Sequence, residues 1–164
     1  MEFGEKKGIL FSGGFDCQIY QHLFFEKSKF IKPKILKSYS TTNPNPKEKF
    51  NVNPPFVHRI SLKNKNLLAG LGSGEILISQ NNSTTIFEAH KLAVTQVEFG
   101  KFGNELFISG GLDNFVKIWG FENEYQKNLY TFNVESKVNW LTSTKEKIFV
   151  ATQQKDILQL NILN

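Results

Sequence analysis

The fold is decided by the stretch SGGLDNFVKIWG at residues 109–120, because its first part occurs in similar form three more times along the chain. Each copy joins small residues to a short turn, and apolar residues follow. Self-similarity of this kind is the signature of repeat architectures, in which each repeat is one supersecondary unit. The three further copies are SGGFDCQI at 12–19, AGLGSGEI at 69–76 and ATQQKDIL at 151–158.

The spacing between the copies indicates the size of the repeated unit. We align Asp16 with Ser73, Asp113 and Lys155, which gives spacings of 57, 40 and 42 residues. The last two agree with the roughly 40–45 residues of a four-stranded propeller blade. Residues 41–55 lie within the longest spacing and are rich in asparagine and proline, so we predict an inserted polar loop there.

Short apolar segments separated by turn residues predict strands, and no segment has the 3.6-residue periodicity of an amphipathic helix. Neighbouring residues are apolar at 106–108 and again at 148–151. Strands with this pattern need cover on both faces, as they have where blades stack around an axis. We therefore predict an all-β chain in which residues 1–164 form a single partial β-propeller domain. The strands predicted for one blade are 94–99, 106–110, 115–119 and 129–133.

The blade that contains the quoted stretch resembles a WD40 repeat. Ala89-His90 is similar to the Gly-His dipeptide of that family, and Trp119-Gly120 is similar to its Trp-Asp terminus, with the aspartate replaced. In the family, a histidine, a serine, an aspartate and a tryptophan form a buried structural tetrad joined by hydrogen bonds. The resemblance assigns these roles to His90, Ser109, Asp113 and Trp119.

The other blades have lost part of this tetrad. In the first blade the corresponding residues are Ser12, Asp16 and His22, and His22 stands where Trp119 stands in the third blade. The resemblance therefore implies a degenerate tetrad in the first blade.

A narrower resemblance covers nearly the whole chain. The stretches NPPFVH at 53–58, AGLGSG at 69–74 and KVNWL at 137–141 are together similar to the C-terminal half of the WD repeat-containing protein 53 family. The most distinctive of them is KVNWL, which consists of Lys137, Val138, Asn139, Trp140 and Leu141. Some WD40 proteins are substrate receptors of cullin-RING ubiquitin ligases, and the resemblance implies that role. The docking signature of such receptors is Trp-Asp-x-Arg.

The chain departs from that docking signature. The matching stretch here is WGFE at 119–122, which lacks the aspartate and has Glu122 in place of the arginine. In the first blade the matching stretch is HLFF at 22–25. The reversal of charge at Glu122 opposes a contact built for a cation.

The number of predicted strands corresponds to about three and a half four-stranded antiparallel blades in an open arc. We expect the chain to begin near the second strand of one blade and to end in the third strand of another, at 157–163. An open arc leaves unpaired strand edges and apolar blade faces. We therefore expect either that the chain is part of a longer protein, or that a second copy or a partner completes the ring.

Composition and charge exclude several classes of protein. A net charge of +5 is typical of proteins that bind nucleic acid. The lysines are scattered, however, and Arg59 is the only arginine, so nucleic acid is the less favoured partner. The single cysteine, Cys17, excludes an internal disulfide and a multi-cysteine zinc site. No apolar run approaches the roughly 18 residues of a membrane span. We expect an intracellular protein, cytoplasmic, nuclear or both.

The residue patterns that suggest a catalytic or ligand site do not meet the requirements of that chemistry. Ser109, His90 and Asp113 are the residue types of a hydrolase triad, but in a WD40 blade they form the structural tetrad. The glycine-rich stretch at 70–74 precedes a predicted strand, whereas a phosphate loop precedes a helix. The histidines are too far apart in the sequence to suggest a metal site. We predict no catalytic residue, no cofactor and no metal.

We therefore predict a non-enzymatic scaffold for protein–protein interactions, with a substrate-receptor-like role in a cullin-RING ubiquitin ligase as its narrower form. The alternatives are a basic propeller that associates with nucleic acid or ribonucleoprotein, and a truncated propeller without independent function.

Overall fold

The computed structural model describes residues 2–3, 8–26, 29–42, 53–80, 83–103, 105–122 and 125–162. The described residues form strands, turns and bends and contain no helix. Accordingly, none of them belongs to a helix that is long and apolar enough to cross a membrane.

The strands form four antiparallel sheets, and within each sheet they follow one another in chain order. Sheet 1 contains β1 (Glu2–Phe3), β2 (Ile9–Gly13), β3 (Gln18–Glu26) and β4 (Lys29–Ser40). Sheet 2 contains β5 (Val57–Lys63), β6 (Asn66–Leu71), β7 (Glu75–Gln80) and β8 (Ser83–Glu88). Sheet 3 contains β9 (Val94–Phe99), β10 (Leu106–Gly111), β11 (Phe115–Glu122) and β12 (Tyr125–Asn133). Sheet 4 contains β13 (Val138–Ser143), β14 (Lys147–Thr152) and β15 (Ile157–Asn161).

Each sheet packs face to face on the next, and the apolar core is divided into three clusters between them. Phe11 and Leu77 belong to the cluster between sheets 1 and 2, Leu68 and Phe107 to the one between sheets 2 and 3, and Ile108 to the one between sheets 3 and 4. In the described residues, sheets 1 and 4 share no hydrogen-bonded strands. The prediction of an all-β, partial propeller with an open arrangement of blades is confirmed.

Two details of the strand assignment differ from the prediction. The chain has a short first strand in sheet 1, where β1 pairs with Phe11 and Leu10 of β2, so the first blade begins one strand earlier than expected. In sheet 4, Ala151 pairs with Ile157 as Gly110 pairs with Val116 in sheet 3. The equivalent of Asp113 is therefore Gln154, at a spacing of 41 residues (154 minus 113), and the predicted alignment with Lys155 is wrong by one position.

The first strand of sheets 2, 3 and 4 carries a β-bulge at the same place. The register shifts between Val57 and Arg59 in β5, between Val94 and Gln96 in β9, and between Val138 and Trp140 in β13. A bulge inserts one extra residue and redirects the side chains that follow it. The residues after the three bulges, Arg59, Gln96 and Trp140, thus occupy equivalent positions in three consecutive sheets.

The turn between the second and third strands of sheets 1 to 3 contains one residue in the left-handed conformation. These residues are Cys17, Gly74 and Asn114, with φ of 56°, 90° and 68°. The carbonyl group of each of these residues accepts a backbone N–H from the segment that follows the fourth strand. The donor is Thr41 in sheet 1, Ala89 and His90 in sheet 2, and Val134 in sheet 3. The turns therefore fasten the outer strand of each four-stranded sheet.

The predicted loop at 41–55 is joined at its base. Thr41 is buried, and its hydroxyl donates a hydrogen bond of 2.7 Å to the carbonyl oxygen of Pro55. Residues 43–52 lie outside the described residues, so the loop and the single-domain boundary remain predictions.

Glycines allow each sheet to approach the next. A Cβ atom added at Gly13 would lie 2.5 Å from a methyl carbon of Val57, closer than any real Cβ contact. Gly70 faces Val94 and Gly110 faces Val138 in the same way, at 2.9 and 2.6 Å. In sheet 4, after which no further sheet packs within the described residues, Ala151 occupies this position.

We expect Gly13→Ala to destabilise the protein by about 1–3 kcal/mol, because the added methyl group would overpack the contact between sheets 1 and 2. Gly14→Ala is the matched control, since a Cβ there would meet its nearest atom only at 3.9 Å. The measurement is the free energy of unfolding in urea. Equal costs for the two substitutions would show that close packing against Val57 does not hold the sheets together.

Candidate functional site

His90, Ser109, Asp113 and Trp119 come together beside the contact between sheets 2 and 3. His90 Nδ1 lies 2.8 Å from Asp113 Oδ1, and His90 Nε2 lies 2.8 Å from Ser109 Oγ. The indole Nε1–H of Trp119 donates to Ser109 Oγ at 2.8 Å. The serine is on β10, the aspartate is in the following turn, the tryptophan is on β11, and the histidine lies between β8 and β9.

The four side chains satisfy one another's hydrogen-bonding groups. Asp113 accepts from His90 Nδ1–H, which leaves Nε2 free to accept the hydroxyl proton of Ser109. Ser109 Oγ in turn accepts from Trp119. Since Ser109 is completely buried and His90 almost so, a missing partner would leave a buried polar group unpaired.

The network also connects the turn after β10 to the segment that leads into β9. Asp113 accepts the backbone N–H groups of Lys91, at 3.0 Å, and of Phe115, at 3.4 Å. Burial acts to raise the pKa of Asp113, but the hydrogen bond from His90, the electrostatic attraction between the two side chains and the two backbone N–H groups outweigh it, so the pKa is lowered. The ionised carboxylate therefore holds the start of sheet 3 against the turn after β10.

Trp119 has an apolar role as well. Its ring stacks on Phe107 with the planes 10° apart and meets Phe87 of sheet 2 edge to face at 5.2 Å between ring centroids. Aromatic pairs in these arrangements contribute about 0.5–1.5 kcal/mol beyond the burial of their area. The same residue thus fills the core between two sheets and supplies a hydrogen-bond donor to Ser109.

In sheet 1 only part of the expected degenerate set is brought together. Ser12 Oγ and His22 Nε2 lie 2.7 Å apart, so His22 contacts the serine as Trp119 does in sheet 3. Asp16 instead accepts the backbone N–H of Gln18 at 3.3 Å, within its own turn.

The residues of the KVNWL stretch are divided between two environments. Val138 and Leu141 are buried in the core cluster between sheets 3 and 4. Lys137, Asn139 and Trp140 are exposed, although the amide of Asn139 donates to the carbonyl of Thr152 at 3.1 Å. Trp140 contacts Arg59 of sheet 2, whose guanidinium carbon lies 4.5 Å from the ring centroid.

Sequence reasoning missed the contact between Arg59 and Trp140. The signal that could have found it is the equivalent position of the two residues in the first strands of their sheets. The bulge hides this correspondence from a pattern of alternating residues.

The glycine-rich stretch at 70–74 and the single cysteine both lie at turns between strands. Residues 70–74 form the end of β6 and the turn to β7. Within the described ranges, no group of three or more histidine, cysteine, aspartate or glutamate side chains could hold a metal ion. The free Cys17 is half-buried in its turn.

The fold has clear counterparts among solved structures. A crystal structure of the WD40 beta propeller domain of Doa1 superimposes with a TM-score of 0.71 and 17% identity, over 98% of this chain and 49% of that one. The chain has the fold of a WD40 β-propeller. A chain in a crystal structure of the mitotic checkpoint complex matches with a TM-score of 0.73 and 16% identity, over 98% of this chain and 46% of that one.

The WD40-fold chain thus spans about half the length of each of these structures. No protein-family model matches the sequence, and no curated protein sequence matches it. The likeness is one of three-dimensional fold.

We expect Ser109→Ala and Trp119→Phe each to cost about 1–3 kcal/mol, because each leaves a buried polar group without its partner. The double variant is expected to cost less than the sum, since both substitutions disrupt the same hydrogen bond. Ser12→Ala, which removes only the bond to His22, is the control, at about 0.5–1.5 kcal/mol. Additive costs in urea unfolding would show that the Ser109–Trp119 bond contributes nothing.

The lowered pKa of Asp113 predicts a dependence of stability on pH. A carboxyl whose pKa is lower in the folded state stabilises the protein above the unfolded value, here an ordinary 3.8, and this contribution is lost as the pH falls through the folded value. We expect Asp113→Asn to flatten this part of the acid unfolding profile. Asp156→Asn, at an exposed turn, controls for the change in net charge. An unchanged slope in Asp113→Asn would contradict the assignment.

Proposed function

We propose that this chain is a non-enzymatic scaffold that binds protein partners through the end of the sheets where the turns between second and third strands lie. We call this end the upper face. Four of its side chains are large, apolar and exposed: Phe15, Leu92, Trp140 and Ile157. Five further side chains of this kind lie on the outer strands β4 and β12. Exposed apolar groups on one rigid surface are typical of interaction sites, and the group of four at the turns is the observation that carries the proposal.

The surroundings of these residues support a rigid surface. Phe15 is held edge to face against Phe56, with 4.8 Å between the ring centroids. Leu92 lies between His90 and β9, in the segment that Asp113 fastens through the backbone of Lys91. A surface ordered before binding loses little conformational entropy when a partner docks.

The enzymatic alternative conflicts with the surroundings of Ser109. Its side chain has no exposed surface, and its oxygen contacts both His90 and Trp119. A nucleophile needs access to its substrate and an activating base within reach. The arrangement here provides the base but no access, which favours a structural role for all four residues of the tetrad.

A narrower form of the proposal is a substrate-receptor-like subunit of a cullin-RING ubiquitin ligase. The similarity of residues 137–141 to the WD repeat-containing protein 53 family supports it. Gly120 and Glu122, which stand where the docking signature has aspartate and arginine, oppose it. The two considerations predict a protein-binding propeller whose connection to a ligase does not use this signature.

We further propose an intracellular location and a ring completed by additional blades. The blades belong either to a longer form of this protein or to a second copy of the chain. A match that covers 98% of this chain and about half of each WD40 structure supports the completed ring.

The scaffold proposal is tested by capturing partners with the wild-type chain and with two matched variants. Leu92→Glu changes the upper face, whereas Leu129→Glu changes the outer strand of sheet 3; the two leucines are 45% and 41% exposed. We expect a partner identified by mass spectrometry, and then bound as a purified protein, to lose at least about tenfold in affinity with Leu92→Glu. Leu129→Glu should bind as the wild type does.

Other outcomes of this experiment would overturn the proposal. Equal loss with both variants, or no direct protein partner, would contradict binding through the upper face. Retention of nucleic acid that falls steeply with added salt would favour the alternative of a basic, nucleic-acid-associated propeller. Recovery of ligase adaptor subunits with the wild-type chain would establish the narrower role despite Glu122.

A further inference from the structure

Arg59 and Trp140 form a pair that bridges two non-adjacent sheets. Arg59 is on the first strand of sheet 2 and Trp140 on the first strand of sheet 4, and the guanidinium lies over the indole ring at 4.5 Å. Between them, Gln96 of sheet 3 donates from its side-chain amide to the carbonyl oxygen of Asn139 at 3.1 Å. The three residues follow equivalent bulges, so their grouping is a product of the repeat.

The Nε atom of Arg59 is buried and has no hydrogen-bond partner, and no other buried side-chain nitrogen or oxygen of the described residues shares this condition. No carboxylate in the described part of the chain forms an ion pair with Arg59. A buried, unpaired donor on a permanently charged group is costly to the folded protein. Because Nε is buried, an anionic acceptor from a partner would meet the terminal N–H groups of this uncompensated cation and not Nε.

The geometry leaves the donors of Arg59 suited to one kind of ligand. A guanidinium that stacks through its face keeps its N–H donors in its plane, where a carboxylate can accept two parallel hydrogen bonds. Trp140 is 49% exposed, so a chain that approaches along the upper face can reach the pair. Arg59 is the cation that the described contacts place on Trp140, so a singly charged anion matches the charge of this pair.

We propose that Arg59 and Trp140 form a binding site for a carboxylate of the protein partner. This inference rests on the proposed scaffold function and names the chemistry that the upper face recognises. The carboxylate is either an aspartate or glutamate side chain or a free chain terminus. In both cases Arg59 binds the anion and Trp140 positions the guanidinium.

The site can be observed directly because the protein has a single arginine. Labelling with ¹⁵N-arginine gives one Nε–Hε signal in a two-dimensional NMR spectrum, and that signal belongs to Arg59. We expect an acetylated and amidated tetraglutamate peptide to shift this signal saturably and the tetraglutamine peptide to leave it unchanged. Acetyl-tetraglycine with a free carboxyl end, compared with its amide, distinguishes a terminal carboxylate from a side chain.

Three variants separate a positioning role for Trp140 from a general charge effect. Arg59→Lys keeps the charge but loses the planar fork, and we expect at least tenfold weaker binding of the peptide that shifts the signal. Trp140→Phe keeps an aromatic face and should bind more tightly than Trp140→Ala. Lys32→Ala, on the exposed outer strand of sheet 1, removes one positive charge far from the pair and should leave binding unchanged.

The inference is overturned if neither carboxylate probe shifts the Arg59 signal, if tetraglutamine shifts it equally, or if Lys32→Ala weakens binding as much as Arg59→Lys. Tighter binding of inorganic phosphate than of either peptide would also overturn it. Failure here, with the partner still lost from Leu92→Glu, would leave the scaffold proposal standing. Peptide binding at Arg59 without any protein partner would contradict only the scaffold proposal.

Discussion

Every sheet in the interior of this protein is apolar on both faces, and this constraint determines how the sheets can be arranged. Phe107 and Ile108 are neighbours on β10 and both are completely buried, yet they belong to different core clusters. Leu67 and Leu68 on β6 are divided in the same way. Side chains on a strand alternate between faces, so such a strand is satisfied only with a neighbour on each side. Radial stacking provides two neighbours to each interior sheet.

Close stacking leaves little room for polar groups, and the protein solves this problem differently in different sheets. In sheet 3 the hydroxyl of Ser109 and the ring of His90 are buried within a network that pairs each of their polar atoms. In sheet 2 the position equivalent to Ser109 is Ala69, which needs no partner. A satisfied network and an apolar replacement both avoid unpaired buried polar groups, whereas an incomplete network that is fully buried does not. This explains why the tetrad can be lost from a blade without loss of the blade.

The sequence was sufficient to predict the class of fold and the grouping of His90 with Ser109, Asp113 and Trp119, because both depend on patterns within one repeat. The spacing of the repeats and the strands that are apolar on both faces predict stacked sheets, and the WD40 resemblance identifies the tetrad. The alignment of sheet 4 was not predictable in the same way. Ala151 and Thr152 stand where sheet 3 has Gly110 and Gly111, so the glycines that guide the alignment of the other repeats are absent at these two positions. The contact of Arg59 with Trp140 depends on three bulges and a separation of 81 residues (140 minus 59), which no local pattern contains.

The bulges determine which side chains of the first strands leave the apolar cores. Without them, strict alternation would direct every second side chain of the first strands into the cores, where Val57, Val94 and Val138 fill the space opposite glycine. One extra residue per strand interrupts the alternation, so the residue that follows the bulge does not continue the row of valines. At that position the chain has Arg59, Gln96 and Trp140, a cation, an amide and an aromatic ring. Packing against glycine restricts the first position to valine in all three sheets, whereas the residue after the bulge differs from sheet to sheet while the stacking stays the same.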